Sequence, residues 1–336
     1  MTTQVARIGI VGCGHFGRFH AEAFQRLRNA RVTAFCNRTP KRAEAMAREF
    51  GATLVTTNPD ELFASDAVDG VVITTHHDSH ADLCRRAVAA GKHVLVEKPL
   101  GMSLKECDEL VAAVAGREGR IAVGYKYRYF PSVQRARTLL PRPDLIVGQF
   151  VEDVWTPSMW QHDPRTGGGS VLGNGCHTLD MLCYLAQSRP TRVYAEGAAR
   201  VHPGHPCLDQ LHAIVTFENG ASGVCIQSQT ATPARASKYE FTMTGADGTA
   251  IELYNRLQSA TFRIKDRTEQ IDRAGDEAIH YQARAFVAQI CDGAAPACGL
   301  QDGFLANLML EACFRSQRMQ MPVRISWDGR YPELLS

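Results

Sequence analysis

Short apolar runs alternate with amphipathic stretches over the first third of the chain. Arg7-Ile8-Gly9-Ile10-Val11, Val32-Thr33-Ala34-Phe35-Cys36, Leu54-Val55, Gly70-Val71-Val72-Ile73-Thr74, Val94-Leu95-Val96 and Arg120-Ile121-Ala122-Val123-Gly124 predict six strands. Between them the pattern predicts helices over about 18–27, up to about 50, from Asn58-Pro59-Asp60-Glu61, over 79–90 and over 103–116. Continuous apolar strands separated by helices are the mark of a parallel sheet covered on both faces. The pattern then changes. Residues 145–154 alternate as a strand, and Gly167-Gly168-Gly169-Ser170 opens a helix. From about 191 to 264 strand follows strand, with turns at Glu218-Asn219-Gly220 and Gly245-Ala246-Asp247-Gly248. With no long crossover helix among them, these strands predict a largely antiparallel sheet. Helices over about 276–291 and 302–319 close the chain.

The first strand runs into Gly12-Cys13-Gly14-His15-Phe16-Gly17 and then a helix. Glycines at this spacing permit a tight turn, close approach of backbone to a pyrophosphate and close helix packing, and the helix N-terminus supplies donors for the anion. In this strand–turn–helix context Gly12, Gly14, His15, Phe16 and Gly17 are candidate dinucleotide contacts. The fold class that follows is an α/β Rossmann dinucleotide-binding domain over residues 1–124. Residues 125–336 form an α+β domain with a large, mostly antiparallel open sheet, expected to bind substrate and to mediate oligomerisation.

The second strand ends in Asn37-Arg38-Thr39, where a free ribose 2′-hydroxyl would ordinarily meet an acid. Arg38 suits a 2′-phosphate instead, so NADP is favoured over NAD, with Asn37 and Arg38 as contacts. Lys41 and Arg42 read equally well as a solvated helix face. Thr75, His76 and His80 follow the fourth strand and are expected in the loop beside the cofactor. The spacing His76-His77-x-x-His80 lacks a completing cysteine or carboxylate, so no metal is expected.

Val94-Leu95-Val96 delivers Glu97-Lys98-Pro99 to the carboxyl end of the fifth strand, where open parallel sheets place their ligands. Proline after lysine restricts the backbone and permits a cis bond. The plain alternative is a charged strand end. Tyr125-Lys126-Tyr127-Arg128-Tyr129-Phe130-Pro131 either lines a sugar or acid site, through Lys126 and Arg128, or packs between domains. Trp155 and Trp160 lie in an irregular loop and are further candidates for substrate contact. In the glycine-opened helix Gly173, His177 and Asp180 recur at four and three residues, and Asn174 lies three before His177, which puts Asn174 and His177 on one face.

In this order the glycine motif, Ala90-Gly91-Lys92-His93-Val94 with Glu97-Lys98-Pro99, and the Gly167-Gly168-Gly169 helix ending in His177 and Asp180 resemble the Gfo/Idh/MocA family of oxidoreductases over nearly the whole chain. The resemblance implies hydride transfer between a nicotinamide and the hydroxyl or carbonyl of a sugar, sugar acid or cyclitol. It implies Lys98 at the reacting oxygen, Glu97 at the nicotinamide end, His177 as general acid or base, and a homodimer or homotetramer. The family's usual Asp four residues before the histidine is Gly173 here. With Lys126 this departure shifts the pocket toward positive charge and toward an anionic substrate. A non-catalytic NAD(P)-sensing regulator or partner-binding protein on the same fold is the alternative.

Composition narrows the remaining classes. At 336 residues two domains are expected, and a formal charge of +2 gives no footprint for nucleic acid or a membrane surface. The chain starts without a signal pattern and has no membrane-length apolar run. Its 11 scattered cysteines include no Cys-x-x-Cys pair, which suits reduced thiols and a cytoplasmic enzyme.

Overall fold

Strand β1 (Ala6–Val11) is buried at every position but Arg7, as a strand at the centre of a parallel sheet with helices on both faces must be. In the computed structural model, which describes residues 4–231, 238–272 and 278–335, five further parallel strands complete its sheet: β2 (Ala30–Cys36), β3 (Leu54–Thr56), β4 (Gly70–Ile73), β5 (His93–Val96) and β6 (Ile121–Val123). Their order is β3-β2-β1-β4-β5-β6, so the direction of winding reverses between β1 and β4. Connecting helices are α1 (His15–Gln25), α2 (Pro40–Phe50), α3 (Pro59–Ala64), α4 (His80–Ala89) and α5 (Leu104–Ala113). Local chemistry marks their starts: Asn58 accepts from Asp60 N at α3, and Ser103 caps α5 by accepting from Glu106 N.

The next helix, α6 (Pro131–Leu139), was not expected among the aromatic and basic residues before it. Proline at its first turn presets the backbone, and Ser132, Val133 and Ala136 form its buried side. Strand β7 (Leu145–Asp153) alternates strictly and turns Ile146, Gly148, Phe150 and Glu152 inward. Gly148 has to be glycine, since a Cβ there would lie 2.3 Å from Phe241 Cε1. Residues Val171–Gly175 wind as a π-helix rather than the expected α-helix, and α7 (Cys176–Ala186) begins only after them. Strands β8 (Pro190–Ala198), β9 (Gln210–Phe217), β10 (Ser222–Ala231), β11 (Tyr239–Thr244), β12 (Ala250–Tyr254), β13 (Ser259–Ile264) and β14 (Arg267–Ile271) follow, and β15 (Val323–Ser326) and β16 (Glu333–Leu334) add to the edge. The ten-stranded order is β14-β13-β12-β11-β7-β10-β9-β8-β15-β16. The sheet is antiparallel except for one pair, β10 with β7, whose connection includes α7.

Helices α8 (Ala278–Cys291) and α9 (Leu300–Met319) close the chain. Two compact units result, Met1–Lys126 with Asp276–Phe304, and Tyr127–Gly275 with Leu305–Ser336. A single boundary after residue 124 therefore leaves out a return of the chain to the first unit. The cause is the stripe Ile279, Ala283, Phe286 and Val287, which joins the core beside α1, with Phe286 edge-on to Phe24 at 6.2 Å. All eleven cysteines are free thiols. Burial pushes Cys13 up to about 12 and Cys36 to about 11, which makes them poor nucleophiles.

Burial also pushes four histidines, His76, His80, His93 and His162, below the ordinary imidazole value. His80 is wholly enclosed, although the carbonyls of Pro99 and Thr75 work the other way. For His93 the nearby Arg120 adds to burial, and for His162 the imidazoles of His202 and His205 do. Above about pH 6.5, the unfolded value, neither folded nor unfolded chain protonates these groups. Below it the unfolded chain takes up protons that the folded chain resists, so stability falls as pH falls. The urea midpoint should therefore fall from pH 7.5 to pH 5.5, by an amount on the order of 1 kcal/mol. A midpoint independent of pH over this window would contradict the burial of neutral imidazoles.

Candidate active site

The glycine turn shows which of its residues serve the fold and which face outward. Gly12 has φ +105°, and a Cβ there would lie 2.7 Å from Thr74 O; a Cβ on Gly17 would lie 2.0 Å from Gly12 O. Around Gly14 a Cβ would meet nothing within 4 Å. The first and third glycines are thus fixed by contacts inside the turn, while the second opens outward at the N-terminus of α1, where no side chain caps the helix. Exposed backbone donors at a helix start suit a pyrophosphate, so these residues fit a dinucleotide. His15 and Phe16 are exposed beside them, with His15 packed on Phe19 at 4.1 Å.

Asn37 turns out to brace this turn: its Oδ1 accepts from Cys13 N at 3.0 Å and its Nδ2 donates to Thr39 O at 3.0 Å. Arg38 is exposed next to it. Burial, and after it the charge of Arg38, lower the pKa of His76; the two follow the carboxyl ends of β2 and β4. Thr75 shares a hydroxyl hydrogen bond with Ser79 at 2.7 Å. His80, expected beside the cofactor, has no exposed surface in this unit. It is fully buried, with Nδ1 donating to Pro99 O at 2.7 Å and Nε2 3.2 Å from Thr75 O. It ties the β4 loop to the Lys98–Pro99 turn, whose peptide bond is cis.

Glu97 is 7% exposed and accepts from His20 Nε2 at 2.9 Å. Burial, the largest influence, raises its pKa. The hydrogen bond and charge of His20, with the ammonium groups of Lys126 and Lys98, outweigh it and bring the value down to about 2. An ionised carboxylate therefore sits under the partly exposed Lys98. Lys126 lies over the Phe16 ring at 5.0 Å, near the glycine turn. His20 escaped the sequence reading, although its place three residues after Gly17 on the inner face of α1 was a usable signal.

In the second unit His177 is buried near the start of α7. Tyr127 packs edge-on to its ring at 4.9 Å, and Tyr239 donates its hydroxyl to the His177 carbonyl at 2.7 Å. Arg128, expected as a substrate contact, is instead 4% exposed and paired with buried Asp180 through Nε at 3.0 Å and Nη2 at 2.5 Å. Trp155 stacks edge-on to His162 at 5.9 Å, and Trp160 is partly exposed at the start of a short turn. Asn174 faces a residue not anticipated: its Nδ2 donates to both oxygens of Glu152, at 2.7 and 2.9 Å. Glu152 falls at an inward position of β7 among apolar neighbours, and an acid at that parity was the signal for it. Among the described residues no group of three His, Cys, Asp or Glu side chains could hold a metal ion. No helix there is long and apolar enough to cross a membrane.

Comparison with known proteins places this geometry. Residues 6–125 match the oxidoreductase family, NAD-binding Rossmann fold, and residues 142–251 match the GFO/IDH/MocA C-terminal domain. Inositol 2-dehydrogenase of Rhizobium meliloti (strain 1021) is 27% identical over 337 residues, which cover 96% of this chain and 100% of the relative. An uncharacterized oxidoreductase of Bacillus subtilis (strain 168), YrbE, is 27% identical over 343 residues, 97% of this chain and 98% of the relative. Levoglucosan dehydrogenase, solved in complex with NADH and L-sorbose, shares the fold with a TM-score of 0.86 at 21% identity, over 96% of this chain and 99% of that one. With the two domain matches in series, and the glycine turn and Glu97-Lys98-Pro99 in the first of them, the chain belongs to the Gfo/Idh/MocA family of NAD-binding oxidoreductases.

Proposed function

We propose that this protein transfers hydride between a nicotinamide cofactor and the hydroxyl or carbonyl of a sugar, sugar acid or cyclitol. The observation that carries the reading is Glu97, an ionised buried carboxylate gripped by His20 at the end of β5, with Lys98 directly after it. An inositol 2-dehydrogenase that aligns over its full length supports a polyol substrate. A bound nicotinamide supplies the hydride acceptor or donor. The ammonium of Lys98 stabilises the charge that develops on the substrate oxygen, and His177 takes or returns that oxygen's proton. Replacement of either group should lower kcat by about 10²-fold or more while leaving cofactor affinity nearly unchanged. Steady-state assays over a sugar and cyclitol panel with Lys98→Met and His177→Ala check this, alongside fluorescence titration of the cofactor. Near-full turnover in both variants would remove the assignment.

For the cofactor we infer a preference for the 2′-phosphorylated form. No acid ends β2, and Arg38 is exposed there, with its charge acting on His76. One charge-assisted contact amounts to about 1.5–3 kcal/mol. NADPH should therefore bind more tightly than NADH, and Arg38→Ala should abolish the difference. Equal affinities in the unaltered protein would contradict it.

The outward face of the large sheet supports self-association. Tyr194, Ile214, Val224 and Val147 align in register across β8, β9, β10 and β7, and Ile214 is 54% exposed. A contiguous apolar row on an open sheet favours burial against another surface. We expect a homodimer or homotetramer by light scattering at micromolar concentration, and the mass of a single chain would count against it.

A further inference from the structure

The acids around α7 are of two kinds. Asp180 is consumed by Arg128, whose guanidinium meets it through two nitrogens, both side chains being buried. Glu152 is held differently. One amide nitrogen, Asn174 Nδ2, reaches both of its oxygens, and Lys238 Nζ stands 3.9 Å from Oε2. The grip fixes the carboxylate against the π-helical turn Val171–Gly175 that leads directly into His177. The same framework holds His177 from the other side. Phe150, two residues before Glu152 on the inward face of β7, packs on Tyr239 at 4.8 Å, and Tyr239 donates to the His177 carbonyl. Glu152, Asn174 and His177 are therefore set by one group of contacts within the second unit. Position 173, between the glycine run and His177, contributes no side chain.

We propose that Glu152 is a specificity-determining residue that selects neutral polyhydroxylated substrates over anionic ones. The proposal rests on the reading of His177 as the group that exchanges the substrate proton. A carboxylate accepts hydrogen bonds and cannot donate them, so it suits the hydroxyls flanking the reacting carbon. It repels a second carboxylate or a phosphate, and the repulsion is strong where water is scarce. This reverses the sign expected from Gly173 and Lys126 alone, because that expectation left Glu152 uncounted. Glu152 stands beside Lys238, while Arg128 and Asp180 match one another.

Opposite changes should follow from opposite substitutions. The full-length protein saturated with whichever reduced cofactor, NADPH or NADH, binds more tightly holds substrate-like ligands without oxidising them, so affinity can be read by calorimetry apart from chemistry. D-Glucose, D-galactose and myo-inositol serve as neutral probes; D-glucuronate, D-galacturonate and D-gluconate serve as anionic ones. The unaltered protein should favour its best neutral probe over its best anionic probe by about tenfold or more, the scale of one unfavourable charge contact. Glu152→Gln should erase most of that ratio, whereas Lys238→Met should widen it. A merely structural role for Glu152 would weaken all probes together and leave the ratio fixed. An unchanged ratio in Glu152→Gln, a preference for acids in the unaltered protein, or failure to bind any neutral probe overturns the proposal. If Glu152→Gln does not fold, Lys238→Met decides alone, and an unmoved ratio there is equally fatal. Turnover with oxidised cofactor is measured separately: a shifted ratio without turnover sinks the oxidoreductase reading and spares Glu152, and turnover with a fixed ratio does the reverse.

Discussion

A buried carboxylate sets the terms for the first unit. Taking Glu97 out of water costs roughly several kcal/mol unless its charge is met by well-placed partners. His20 meets it at 2.9 Å from the inner face of α1, and Lys98 N lies 3.3 Å from its second oxygen. The bond joins the helix that follows the glycine turn to the turn that carries Lys98, so the proposed cofactor cradle and the proposed reactive lysine are built on one contact. Backbone has to yield space for it. A Cβ on Gly124 would come within 2.9 Å of Glu97 Cα and 3.0 Å of its Oε2, which explains a glycine at the end of β6. His80 closes the arrangement from the β4 side by donating to Pro99 O.

The second unit solves a related problem with a different pairing. Its helix α7 is buried on nearly every side, so no polar face is available to carry Asp180 in water. Arg128 supplies both the countercharge and the donors, and its guanidinium lies 4.5 Å from the Tyr184 ring. A residue that reads as a surface contact from its aromatic and basic neighbours is thereby spent inside the fold. The same holds for Asn37, whose amide braces the glycine turn at both ends.

What the sequence made legible follows from range. The six apolar strands, the glycine turn and the Glu97-Lys98-Pro99 segment are local patterns, and each forms where its residues indicate. Pairings between distant residues carry no local mark. Glu97 with His20, Arg128 with Asp180 and Asn174 with Glu152 span 77, 52 and 22 residues. The π-helical turn at Val171–Gly175 was hidden for a similar reason, since spacings of three and four residues do not distinguish it from an α-helix. The return of α8 to the first unit is also a long-range event. Its apolar stripe was readable as a helix face, but its partner, α1, begins more than 200 residues earlier.

Charge is where local counting misleads most. Gly173 and Lys126 together suggest a positive pocket, yet the field of Lys126 falls on Glu97 and helps to keep that carboxylate ionised. Lys126 also lies over the Phe16 ring, an interaction that needs no anion. In the other unit Glu152 brings a carboxylate to the turn that precedes His177, from a strand rather than from the helix. The sign a ligand would meet is set by what each charge faces after folding, and under the proposed role of Glu152 the inward parity of one residue on β7 changes it. An acid on the buried side of an alternating strand is costly to place there. Its position among Ile146, Gly148 and Phe150 is therefore a better guide to chemistry than any tally of charged residues along the chain.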